Sequence, residues 1–72
     1  MEKVKSLISI RDEETNYTIY DGEECKFIHI RLRKGKAFAL VVNSDEHEFF
    51  VPYHVFIHHF QLVNPLFTVA DL

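Results

Sequence analysis

The sequence predicts an all-β fold: a small barrel or strongly bent antiparallel sheet of four to six strands, with at most one short helical turn. Three observations carry this. Apolar and polar residues alternate with period two along most of the chain. The alternating runs are dominated by β-branched and aromatic residues, which fit a pleated sheet better than a helix. And 72 residues leave room for one domain only, so residues 1–72 are read as a single small β domain.

The elements follow in order. Val4–Ile10 and Tyr17–Tyr20 read as short strands joined by the polar link Arg11–Asn16. Asp21-Gly22-Glu23-Glu24 reads as a turn into a long strand, Lys26–Arg33. There Ile28, Ile30 and Leu32 point one way and Phe27, His29, Arg31 and Arg33 the other. Arg33-Lys34-Gly35-Lys36 suits a tight hairpin, because Gly35 takes positive φ without strain. The return strand sets Phe38, Leu40 and Val42 against Ala37, Ala39 and Val41. Asn43-Ser44-Asp45-Glu46 turns the chain into His47–Val51. Over Pro52–Val63 two periods compete. Tyr53, Phe56, Ile57 and Phe60 fit a helical face, whereas Val51, Tyr53, Val55 and Ile57 alternate as a strand. The reading adopted is one helical turn near 53–57, with Pro52 at its permitted start, followed by a strand at Phe60–Val63.

Composition bounds the function classes. The formal net charge is −3 with a single cysteine, Cys25. No internal disulfide is possible, and one cysteine suits a reducing compartment. No apolar run of signal-peptide type follows Met1, and no stretch approaches the roughly 20 apolar residues of a membrane span. The expected setting is cytoplasmic. Charge is distributed unevenly: of the nineteen charged residues only Asp71 lies beyond position 48. A segment so poor in lysine and glutamate is core or interface. A domain of this size buries only about 60% of its chain's surface, so oligomerisation would help it. The expected interface is Phe49, Phe50, Tyr53, Phe56 and Phe60.

Four candidate constellations can be weighed. Histidines crowd positions 47–59, and His54 and His58 would share a helical face as metal ligands must. However, Val55 and not glutamate follows His54, and a strand would hold the pair over 13 Å apart by about 3.3 Å per residue. They read instead as rim residues, whose protonation would weaken assembly; no metal or other cofactor is implied. Arg31, Arg33, Lys34 and Lys36 gather at one hairpin tip near Phe27 and His29, a pattern able to meet phosphates and stack a base. Three acidic clusters, at 12–14, 21–24 and 45–48, fall at turns and read as solvated faces. Cys25 has His29 four residues on, too far along a strand for a nucleophile–base pair. No catalytic motif is present, and the chain reads as no enzyme.

From Cys25 to Leu66 the layout resembles small Sm-like and Src-homology-type barrels. The resemblance rests on the long strand, the glycine hairpin, "KAFALVVN" and "EFFVPYHVFIHHFQLV", in which a strand runs through one helical turn into a last strand. It implies the barrel fold. Bacterial Sm-like ring proteins bind RNA, some through a Tyr-Lys-His run; here Tyr53-His54 lacks the lysine, and Val4–Ile10 stands where those proteins carry a helix. The favoured expectation is a non-catalytic binding or regulatory protein, of phage-type or accessory-inhibitor character, acting on another protein through its aromatic C-terminal surface as a homo-oligomer. The alternative is an RNA- or DNA-binding barrel using Arg31, Arg33, Lys34 and Lys36.

Overall fold

The computed structural model describes residues 2–63 and 68–72. Among the described residues there are seven strands: β1 (Glu2–Ser6), β2 (Ile10–Arg11), β3 (Thr18–Ile19), β4 (Glu24–Arg33), β5 (Lys36–Val42), β6 (Glu48–Pro52) and β7 (Phe60–Leu62). One helix, α1 (Tyr53–His59), sits between β6 and β7, and a 3-10 turn spans Val69–Asp71. Five strands form one sheet in the order β6-β5-β4-β1-β7, every neighbouring pair antiparallel, and β2 and β3 form a separate ribbon. Of the two forms expected, this is the bent sheet: no pairing between β6 and β7 closes it into a barrel among the described residues. No helix among them is long and apolar enough to cross a membrane.

The bend starts at a β-bulge. The β4–β5 register slips between Phe27 and His29, where Ile28 has no partner of its own. A bulge re-aims the side chains that follow it. Strict alternation would set Phe27 apart from Ile30 and Leu32, yet Phe27 pairs with Val41 and Ile30 with Ala39, both fully buried positions. Cys25 and Phe27 before the bulge, and Ile30 and Leu32 after it, therefore share the core-side face. Small residues, Ala39 and Val41, occupy the middle of β5 on that face. The rings of Phe27, Phe56 and Phe60 fill the space above them in one cluster with Val4, Ile19, Phe49, Val51, Leu62 and Val69.

Helix α1 runs seven residues where one turn near 53–57 was expected. Its local signals are weak: Pro52 stands as an N-cap with no side-chain hydrogen bond, and the first turn lacks an acid. Tertiary packing supplies what propensity does not. Phe56 is fully buried, Val55 and Ile57 pack against the core, and the N–H of Phe60 closes the end by donating to the Phe56 carbonyl.

The β4–β5 turn has two residues, Lys34 and Gly35, both at positive φ (51° and 77°) and flanked by the pair Arg33–Lys36. Positive φ at both positions belongs to the turn type whose twist matches a hairpin, and it favours Asn-Gly. Lys34→Asn should raise stability by about 0.5–1 kcal/mol and Gly35→Ala should lower it by about 1 kcal/mol. Urea titrations of both variants test this; equal midpoints would mean the turn carries no strain.

Glu23 ties two distant turns together. Its carboxylate accepts from the Tyr20 N–H (2.9 Å), the Ser44 N–H (3.1 Å) and the Ser44 hydroxyl (2.6 Å). Partial burial pushes its pKa up, but the Ser44 hydroxyl and then the Tyr20 and Ser44 backbone donors outweigh this and hold it below 4.5. A carboxyl whose folded pKa is depressed stabilises above its unfolded value and loses that contribution as pH falls. Glu23→Gln should therefore cost about 1 kcal/mol at neutral pH, and the gap from the parent should narrow below about pH 4.5. A gap that stays constant from pH 7 to pH 3 would show that charge has no part in the clamp.

Candidate binding surface

Beyond the bulge, the end of β4 and the start of β5 form an arm. Pairing with β1 reaches only to Phe27, so the last residues of β4 have β5 on one side and, among the described residues, no strand on the other. Arg31, Arg33, Lys34 and Lys36 all lie on this arm and all are exposed. The face opposite the core carries Arg31 beside Phe38, with Leu40 beside Phe50 on β6. The two guanidinium groups lie over the half-buried Phe50 ring, 5.8 Å (Arg31) and 5.0 Å (Arg33) from its centre. Such contacts contribute about 0.5–1 kcal/mol each at exposed sites. Both arginines stay exposed while resting against the ring, which leaves their donors accessible to a partner. Lys34 and Lys36 extend the same charge around the tip. An open cleft of about 540 Å³ borders it, lined by Lys36, Ala37, Phe38, Pro52, Tyr53 and His54.

The aromatic stripe expected at a C-terminal interface divides here. Phe49 (3% exposed), Phe56 (0%) and Phe60 (4%) are interior residues of the single chain and cannot meet a partner. The segment is poor in charge because β6, α1 and β7 supply the lid and one wall of the core. Its residues 64–67 lie outside the described residues. Phe50 and Tyr53 remain half-buried at the surface, and both border the basic arm rather than a separate apolar face.

The histidines do not assemble into a site. His54 and His58 are a helical turn apart on α1, and the His58 Nδ1 lies 2.6 Å from the His54 carbonyl oxygen. His54, His58 and His59 are exposed in the single chain. Among the described residues no three metal-ligating side chains converge. His47 stacks flat on Tyr17, with ring centres 3.5 Å apart and planes within 7°, which fastens the link before β3 to the turn before β6. A larger open cleft of about 810 Å³ beside that stack mixes Lys3 and Lys26 with Glu24, Glu46 and Glu48, so no one sign of charge prevails there. Cys25 is buried.

Two features escaped the sequence. The arginine–Phe50 contacts join residues seventeen or more positions apart and depend on the β4–β5–β6 register. The unpaired side of β4 follows from where β1 stops. Compared with protein families, with characterised proteins and with solved structures, the chain finds no match.

Proposed function

We propose that this chain is a non-catalytic binding protein whose contact surface is the basic β4–β5 arm together with Phe50. The observation that carries the reading is the placement of Arg31 and Arg33 over the Phe50 ring at an end that also holds Lys34 and Lys36. Four cations concentrated on one arm of a chain with net charge −3 make a local positive field, and such a field steers an acidic partner on approach. Arginine and aromatic residues are also the types enriched among interface anchors. A cytoplasmic setting is proposed from the single unpaired cysteine.

The second reading is a single-stranded RNA or DNA surface, favoured by the same arginine–aromatic pairing, since bases stack on rings and guanidinium planes. One experiment separates them: capture of partners from lysate by the parent and by the Arg31→Glu/Arg33→Glu double variant, with and without nuclease. Capture that survives nuclease and fails with the variant supports a protein partner. Loss on nuclease treatment supports the second reading. Capture unaffected by charge reversal removes the arm from either role.

A further inference from the structure

The arm carries, besides its charge, a strand position that none of the described residues fills. Arg33 and Lys36 flank a two-residue turn and pair directly, which makes them a hydrogen-bonded pair of the antiparallel ladder. Arg31–Phe38 and His29–Leu40 are then hydrogen-bonded pairs as well, while Leu32–Ala37 and Ile30–Ala39 are not. The N–H and C=O of Ile30 and Leu32 accordingly point away from β5, to the side where β1 has ended at Glu2–Phe27. Among the described residues no backbone hydrogen bond outside the sheet ladders reaches them. Edge strands of soluble proteins are normally blunted by charged side chains, by proline, by a β-bulge, by an inward-pointing charge or by a covering element. Here the bulge lies before His29, and the charges, Arg31 and Arg33, stand on the face opposite Ile30 and Leu32. No proline interrupts His29–Arg33 and, among the described residues, no element covers it: every residue is exposed, and Leu32 (74%) and Ile30 (39%) leave apolar side chains in solvent. The outer side of β6, by contrast, ends in Pro52 and carries Glu48.

We infer that β4 from His29 to Arg33 accepts an extended peptide as an added antiparallel strand, and that the peptide alternates apolar with acidic residues. This rests on the proposed binding role of the arm and names the partner's chemistry. The backbone of Ile30 and Leu32 supplies the hydrogen bonds, and alternate side-chain positions supply selectivity. On one face the partner's apolar residues cover Ile30 and Leu32. On the other its carboxylates stand beside Arg31 and Arg33, as favourable cross-strand pairs. A second copy of this chain fits poorly. Any antiparallel register that keeps both apolar pairs on one face sets Arg31 opposite His29, Arg31 or Arg33 of the other copy. Nucleic acid offers neither a backbone ladder nor apolar residues for Leu32.

The test uses three labelled probes: an acetylated octapeptide alternating valine and glutamate, its valine–lysine counterpart, and a ten-nucleotide thymidine single strand. Binding of the glutamate peptide alone is expected, with the amide resonances of Ile30 and Leu32 shifting most. Leu32→Pro removes an N–H that the hairpin does not use and should weaken binding by about tenfold beyond the effect of Leu32→Ala, which removes only side-chain contact. Arg31→Glu/Arg33→Glu should abolish it. If Leu32→Pro binds as well as Leu32→Ala, strand addition is wrong while the basic surface stands. If the thymidine strand binds and the peptide does not, the nucleic-acid reading replaces it. No binding of the glutamate peptide at millimolar concentration overturns strand addition outright, whatever the lysate capture returns.

Discussion

Replacing Phe56 by alanine is expected to bring the domain close to unfolding at room temperature. Among the described residues Phe56 is the largest fully buried side chain, and its ring lies close to those of Phe27 (5.2 Å) and Phe60 (5.3 Å). Phe→Ala in a packed core costs about 3–5 kcal/mol, combining lost burial with the cavity left behind. A domain of this length has only about 4–11 kcal/mol in total at the usual 0.05–0.15 kcal/mol per residue. Phe56 is also the one buried residue of α1, a helix with weak caps, so the helix should loosen together with the core. Phe56→Leu keeps most of the volume and should cost under half as much. Urea unfolding followed by far-ultraviolet circular dichroism measures both variants. Near-parental stability for Phe56→Ala would mean that α1 contributes little to the core.

The second large effect concerns Cys25, which should be close to inert in the folded protein. Burial in the β1–β4 core, and then the Glu23 carboxylate, push the thiol from its ordinary 9.0 up to about 12. Thiolate is the reacting species. At pH 8 about a tenth of an unfolded thiol is ionised, against about one part in ten thousand at the raised value, a ratio near a thousandfold. Reaction with an aromatic disulfide reagent should be slower by about that factor in the native protein than in guanidinium chloride. A native rate within tenfold of the unfolded one would sink the prediction. The same shift predicts an alkaline limit. Between about 9 and 12 the unfolded chain gives up this proton and the folded chain keeps it, so stability falls as pH rises, by at most about 1.4 kcal/mol per unit. A Cys25→Ala variant should lack that part of the decline.

How much of this was legible beforehand depends on how local each cause is. The strands after Glu24 lie within two residues of where alternation sets them, and the Lys34–Gly35 turn is where glycine and spacing place it. Period two and a glycine at positive φ are properties of a few neighbouring residues, so they can be read in one pass. Val4–Ile10 did not come out as one strand: it breaks after Ser6, whose buried hydroxyl donates to the Ile8 carbonyl and turns the chain. The aromatic segment from Phe49 to Phe60 was legible as something that must be buried, but not as to what buries it. Core and interface have the same composition, and only the fold of β6–α1–β7 over the sheet assigns Phe49, Phe56 and Phe60 to the first.

By itself the sequence determined the fold class, the hairpin and its charged tip, and the seclusion from charge of the last third of the chain. Each of these is a pattern of side-chain type at fixed spacing. The tertiary structure alone decided the bulge at Phe27–His29, the length of α1, the Glu23–Ser44 clamp, the arginines over Phe50 and the open side of β4. All five depend on which strands become neighbours and in what register. Register is a balance summed over the whole sheet, in which moving one strand by one residue sends every side chain to the opposite face.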